Sequence, residues 1–353
     1  MTSNPQFGRE TTATEVARVF GDGVRGKTVV VVGVSPQSLG ESLSLALAAQ
    51  SPSLLVLVSR TRAKMQTVAK KVQAAYPEVR LSLVPVDLSC LQSVRDGAAV
   101  IDRLVDHIDM LINNAGVMIQ THTLTPAGLE LHFATNHIGP FLLTNLLMPK
   151  MLQAARASAA RGGRPGSTRI VNVSSQGHEI SPIRFGDVNF HKPSRDIPAE
   201  ERPASIPGFM SFDPPPGQTY SPFVAYAQSK TANILISLYL NRHLDQSGVK
   251  AIATHPGSIW TDLSRNLDAN YTRLVRKSGG FWKDIDQGSA TTLVAALDPK
   301  LGDGDSDDVI YLRDCQVAEP AAHATDLKAA RRLWRLSEEI VGQTFSLHEV
   351  SRL

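Results

Sequence analysis

Thr28-Val-Val-Val-Val32 is a continuous β-branched run, as expected for a strand buried on both faces of a parallel sheet. It follows a polar leader with one short amphipathic stretch, Thr14 to Phe20. From there apolar strands and apolar-periodic helices alternate. Glu41 to Gln50 predicts a helix, Leu54 to Val58 a second strand, Leu81 to Val86 a third, Ser93 to Asp106 a helix and Met110 to Ile112 a fourth strand. Glu130 to Gln153 predicts a long, mostly apolar helix broken in its middle by Gly139-Pro140. Then come a strand from Arg169 to Val173, a helix from Ser221 to Leu244 and a strand from Val249 to Thr254. Asp286 to Leu297, the strand Val309 to Leu312 and the amphipathic helix Leu327 to Val341 complete the pattern. This alternation predicts one α/β domain over residues 27–341, a doubly wound parallel sheet of the Rossmann type. Residues 1–26 are expected as an N-terminal extension and 342–353 as a C-terminal tail.

One segment breaks the alternation. Residues 178–222 hold nine of the chain's 21 prolines, interleaved with Phe185, Phe190, Phe209, Phe212 and Tyr220, which suits a long insertion and not a domain. Two readings stay open for it, an aromatic lid over a site and a surface excursion.

Composition narrows the function classes. The net charge of +3 comes from scattered basic residues, with no basic tail or aromatic-interleaved basic stripe, so a nucleic-acid partner has no support. No stretch approaches the ~18 apolar residues that span a bilayer, and the N-terminus lacks the apolar region of a secretory signal. A cytoplasmic location is therefore expected. Cys90 and Cys315, without Cys-x-x-Cys spacing, are expected as reduced, packed thiols. The ten histidines show no His-x-x-x-His or His-Glu-x-x-His pattern, so no metal site is expected. His132, His137 and His178 read as polar or core residues.

The candidate chemistry lies at the ends of the predicted strands, where open α/β sheets bind their ligands. Gly33 to Gly40 joins the first strand to its helix, an arrangement that seats a pyrophosphate on a helix N-terminus. Ser59-Arg60-Thr61-Arg62 ends the second strand without the carboxylate that would take a ribose hydroxyl, which favours a 2′-phosphate and hence NADP(H). Asp87-Leu88 ends the third strand, Asn113-Asn114-Ala115-Gly116 the fourth and Ser174-Ser175 the fifth. Tyr226 and Lys230 lie four apart on a predicted helix and so share a face, where the lysine is expected to favour the phenolate.

In this order these motifs resemble a short-chain dehydrogenase/reductase of the classical type, in its retinol-dehydrogenase-like and WW-domain-oxidoreductase-like branch. The match runs from about Lys27 to Val341 and includes Asn136 and Pro256-Gly257. The resemblance implies that Tyr226 is the acid/base and that Ser175 hydrogen-bonds the reacting oxygen. It implies that Lys230 tunes the tyrosine and holds the nicotinamide ribose, and that Asn136 positions a water relaying protons to that lysine. Contacts to the cofactor are implied for Gly33, Ser35, Ser38, Leu39, Gly40, Arg60, Asp87, Leu88, Asn113, Asn114, Ala115, Gly116, Pro256, Gly257, Ile259 and Thr261, besides Tyr226 and Lys230. It also implies a homodimer or homotetramer built through the helices bearing Asn136 and Tyr226. Residues 258–285 are expected on the substrate side.

The glycine turn departs from the family pattern: it has one extra residue and Ser38 in place of the middle glycine, where a Cβ is expected to crowd the pyrophosphate. The expected activity is NADP(H)-dependent interconversion of a carbonyl and an alcohol on a fairly large apolar small molecule. A nucleotide-sensing binding protein, or a non-redox isomerase or cyclase using Tyr226 as an acid, are the alternatives.

Overall fold

The computed structural model describes residues 2–204, 214, 217–244, 247–261, 263, 267–302 and 311–347. Helix α1 (Ala13–Val19) precedes strand β1 (Thr28–Val32), which is followed by α2 (Leu39–Ala48), β2 (Leu54–Ser59), α3 (Arg62–Ala75) and β3 (Leu81–Pro85). Next come α4 (Leu91–Leu104), β4 (Met110–Asn113), α5 (Leu131–Phe133), a π-helical turn (Ala134–Ile138) and α6 (Gly139–Ala160). After β5 (Thr168–Val173), α7 (Pro222–His243) leads to β6 (Val249–His255), β7 (Ser258–Ile259), α8 (Ala269–Ser278) and β8 (Trp282–Lys283). The chain closes with α9 (Ile285–Leu297), β9 (Tyr311–Arg313), β10 (Gln316–Val317) and α10 (Leu327–Val341).

Eight strands form one sheet in the order β10-β9-β6-β5-β4-β1-β2-β3, parallel throughout except for β10, and β7 with β8 makes a small separate pair. Strand β1 pairs with β2 on one side and β4 on the other, so the winding reverses there and opens a crevice at the strands' carboxyl ends. Because side chains alternate along a strand, β1 feeds two cores. Val30 and Val32 join residues of α4, α6, α7 and α10, while Val29 and Val31 join those of α1, α2, α3 and α9.

The predicted break at Gly139-Pro140 does not occur. Pro140 falls at the start of α6, where a missing N–H costs little, and the π-helical turn absorbs the change of register. Gly139 is needed for packing instead, since a Cβ there would run into the backbone of Leu88.

The N-terminal residues expected as an extension are drawn into the domain. Phe7, Val16, Ala17 and Val24 are buried in the core shared with α9. Ser3 donates from its backbone and hydroxyl to the two oxygens of Asp298, both at 2.8 Å, and Gln316 Nε2 donates to the carbonyls of Asn4 and Phe7 at 3.0 and 2.8 Å. These partners lie near the other end of the sequence, which is why local pattern did not reveal them.

The described part of the insertion also packs on the body. Phe190 is buried against Val224 and Ala225 of α7, and Phe185 sits under Arg332 of α10, 4.3 Å from guanidinium carbon to ring centroid. Phe209 and Phe212 lie outside the described residues. Helix α10 covers the outer face of α6 and α7: Trp334 stacks on Tyr239 at 4.2 Å and meets Phe141 edge-on at 4.9 Å. Of the two cysteines, Cys315 is buried as expected, but Cys90 is exposed, in the turn that starts α4.

The docking of the N-terminal segment is testable. Phe7→Ala should cost about 3 kcal/mol, the lower end for a buried Phe, in urea unfolding. A change below about 0.5 kcal/mol, the range of ordinary surface substitutions, would place the segment outside the cooperative core.

Candidate active site

The first wall of the crevice is the turn after β1. Gly33 has φ +94° and a Cβ there would lie 2.6 Å from the backbone of Ala115, so only glycine lets this turn and the loop after β4 approach each other. A Cβ on Gly40 would strike the Gly33 carbonyl, so the second glycine packs α2 against its strand. Ser38, which stands in place of the family's middle glycine, has a structural role of its own. It is the N-cap of α2, and its hydroxyl folds back to donate to the Ser35 carbonyl at 2.7 Å and to accept from the Glu41 amide at 3.4 Å. Leu39 and Gly40 are then the first residues of α2, at a helix N-terminus that favours an anion. Arg60 and Arg62 stand exposed just beyond β2.

The loops after β3 and β4 continue the wall. Asp87 Oδ1 accepts from the backbone and hydroxyl of Ser89 at 3.0 and 2.6 Å, shaping the turn into α4, with Leu88 buried beside it. Two adjacent asparagines serve different ends because a strand turns successive side chains to opposite faces. Asn113 is buried, donating to Thr144 Oγ1 at 3.0 Å and Asn172 Oδ1 at 2.9 Å, so its side chain braces the sheet. Asn114 Nδ2 instead donates to the Gly33 carbonyl at 3.1 Å, tying the two loops together.

Asn136 lies in the π-helical turn. Its Oδ1 accepts from the Val117 amide at 2.8 Å, and its Nδ2 donates to the Val117 carbonyl at 3.1 Å and Ser229 Oγ at 3.0 Å. The side chain clamps the loop after β4 to α7. Gly116 lies between it and Lys230: a Cβ on Gly116 would stand 3.4 Å from Lys230 Nζ and 3.5 Å from Asn136 Oδ1.

Strand β5 and helix α7 bring the reactive groups together. Ser174 Oγ donates to the Lys230 carbonyl at 2.7 Å, while the Ser175 hydroxyl hydrogen-bonds the Tyr226 hydroxyl and accepts from the Gly177 amide at 3.0 Å. Lys230 Nζ donates to the Val173 carbonyl at 2.9 Å and lies 5.6 Å from the centroid of the Tyr226 ring. Burial pushes Tyr226 up to about 12, only partly offset by the hydrogen bond from Ser175, and brings Lys230 down to about 8. The tyrosine shift runs opposite to the one expected from a neighbouring lysine, because loss of water around the phenolate outweighs an ammonium that is itself desolvated and drawn to Val173.

Beyond β6, Gly257 has φ +96° and a Cβ there would lie 2.7 Å from Lys283 Cδ. Pro256 and Gly257 thus turn the chain across Lys283 into β7, which carries Ile259, and Thr261 Oγ1 then accepts from the Leu263 amide at 3.3 Å. The parts played here by three residues, Ser229, Gly177 and His178, were not apparent from the sequence, although His178 is buried as a core residue as expected. Ser229 anchors Asn136, Gly177 leaves room beside Tyr226, with its Cβ position 3.3 Å from the ring, and His178 bonds the Ser175 carbonyl at 2.7 Å. Only position relative to Tyr226 or Ser175 marked them, which is a weak signal without coordinates.

A strand-end crevice with a glycine turn, an anion-favouring helix start and a Ser, Tyr and Lys cluster defines a nicotinamide-dependent oxidoreductase fold. Comparison with known proteins agrees: the sequence profile for short chain dehydrogenase matches residues 27–185. An oxidoreductase of Fusarium equiseti, fscI, is 39% identical over 72% of this chain and 95% of its own length. Human retinol dehydrogenase 13 is 32% identical over 90% of this chain and 86% of its own. A crystal structure of a Mycobacterium paratuberculosis protein, 28% identical, superposes with a TM-score of 0.63 over 91% of this chain and 95% of that one. The chain belongs to the short-chain dehydrogenase/reductase family, and within it to the retinol-dehydrogenase-like branch. The family's nicotinamide cofactor suits this crevice, which offers the N-terminus of α2 for an anion and, at Gly116, a position without a Cβ beside Lys230 Nζ and Asn136 Oδ1.

Gly33→Ala should weaken NADPH binding at least about tenfold, or roughly 1.4 kcal/mol, in a fluorescence titration. Unchanged affinity in a folded variant would remove this turn from the cofactor site.

Proposed function

We propose that the protein is an NADP(H)-dependent oxidoreductase that interconverts a carbonyl and an alcohol on a fairly large apolar small molecule. The observation that carries this reading is the meeting of Ser175, Tyr226 and Lys230 at the carboxyl end of β5. A bound nicotinamide supplies the hydride. Burial keeps Tyr226 protonated at neutral pH, so its hydroxyl can give a proton to a carbonyl oxygen while Ser175 holds the same oxygen. Lys230, with a pKa near 8, is still mainly an ammonium at pH 7 and stabilises the phenolate left behind. Reprotonation would run past Gly116, between Lys230 Nζ and Asn136 Oδ1. In the reverse direction the phenolate is the base, so alcohol oxidation should rise with pH.

Arg60 at the end of β2, exposed and with no carboxylate beside it, supports NADP(H) over NAD(H). An apolar substrate is supported by the aromatic surroundings of α7's first turn, where Phe223 meets Tyr271 of α8 at 5.2 Å, and by the retinol dehydrogenases among the relatives. Helix α10 packs Trp334 on Phe141 of α6 and Tyr239 of α7, and a homodimer or homotetramer through the helices bearing Asn136 and Tyr226 remains the state that the resemblance implies. The direct test is NADPH oxidation against ketones, aldehydes and quinones graded by size, with NADH in parallel.

Tyr226→Phe should keep NADPH binding and lose carbonyl reduction by ~10² to 10⁴, the range for a general acid. Turnover within tenfold of the parent, on the order of 1.4 kcal/mol, would displace Tyr226 from that role. Arg60→Asp should weaken NADPH far more than NADH, because it sets a negative charge where a phosphate is expected. Equal losses for the two nucleotides would defeat the NADP(H) assignment.

A further inference from the structure

The Ser175 hydroxyl meets Tyr226 only if the turn that follows β5 is held still, and beside the bond from the Gln176 amide to His255 Nδ1 at 3.1 Å one buried side chain ties it at two points. His178 is fully buried, and its Nδ1 lies 2.7 Å from the Ser175 carbonyl, which also accepts from the His178 amide at 3.1 Å. The other ring nitrogen, Nε2, faces the Ala321 amide at 3.0 Å. A backbone N–H can only donate, so Nε2 must be the acceptor and Nδ1 must carry the proton. The His178 carbonyl in turn accepts from Thr231 Oγ1 at 3.2 Å, beside Lys230 on α7, and lies 2.8 Å from His323 Nε2. His178 therefore links the serine, the helix of Tyr226 and the segment after β10.

We propose that His178 is a positioning residue that fixes Ser175 against Tyr226 and makes both of its anchors only as the neutral Nδ1–H tautomer. The proposal rests on the oxidoreductase reading above. A second proton on the ring would place an N–H against the Ala321 N–H and break the far anchor. Burial holds His178 below its ordinary value of 6.5, opposed by the Ser175 carbonyl and Glu179 and assisted by His323 and Arg313. The groups facing it are Glu179 on its own turn, Tyr311 and Arg313 of β9, His255 of β6, His323, and uncharged Thr231 of α7. Raising pH above 6.5 leaves the ring neutral, while lowering pH below its depressed value protonates it, removes only the Ala321 anchor and should lower kcat by about threefold, as in the asparagine variant below.

The test uses NADPH and decanal as probe. His178→Asn keeps a donor near the place of Nδ1 and should hold kcat within about threefold, whereas His178→Gln should lose about thirtyfold at unchanged NADPH affinity, as for a lost buried hydrogen bond. Equal losses in both variants, matched by equal falls in melting temperature, would reduce His178 to a fold residue and overturn the proposal. Nitrogen-15 NMR of the histidine-labelled parent enzyme requires no turnover and no substitution. It should show the Nδ1–H tautomer at neutral pH, with proton uptake only below 6.5 and at the same midpoint as the acid limb of kcat. An Nε2–H tautomer, or an acid limb that persists unchanged in His178→Asn, would also overturn it. A parent enzyme inactive towards every carbonyl would defeat the oxidoreductase reading, and the tautomer would still decide the geometry.

Discussion

The site depends on how α7 is fastened to β5. The Val173 carbonyl accepts from both Lys230 Nζ at 2.9 Å and Asn233 Nδ2 at 3.0 Å, Ser174 Oγ reaches the Lys230 carbonyl, and Asn172 Nδ2 donates to Ser237 Oγ at 2.9 Å. These contacts form a buried polar ladder along one side of a helix that is otherwise packed on nearly every face. Losing one partner leaves a desolvated group unpaired, at a cost of about 1 to 3 kcal/mol, so the helix has little freedom to slide or rotate. Tyr226 inherits its position from that ladder. The lysine that would tune the tyrosine is itself one of the rungs.

Much of this was visible in the chain, and what was hidden has a common physical cause. The strand runs and the helix Leu327–Val341 were legible because their periodicity is a local property. Ser174 and Ser175 could be told apart only by analogy in the sequence, whereas the structure separates them by the alternation of a strand: one faces the backbone of α7, the other the tyrosine. The same alternation divides Asn113 from Asn114, which the sequence grouped together. Partners far along the chain were illegible. Thr14 Oγ1 donates to Asp286 across 272 positions, and no local pattern marks such a pair. The cap made by Ser38 was hidden for another reason: residue type marked it as a departure from a glycine turn, and only its conformation shows the hydroxyl capping α2.

The electrostatics of the cluster follow from burial more than from charge pairing. A desolvated tyrosine and a desolvated lysine move their pKa values towards the neutral forms, one up and one down. The polar groups around them, mostly backbone carbonyls and amides, are fixed dipoles that need no reorganisation when charge develops.

The stitching of Ser3 to Asp298 and of Gln316 to Asn4 and Phe7 has a consequence for synthesis on the ribosome. Phe7 and α1 must wait for residues about 290 positions further on before their apolar side chains find cover. Until then the part of the core that α1 and α9 share stays open, although α2 and α3 already cover their share of that face, and the nascent protein presents some sticky surface while the intervening residues are made.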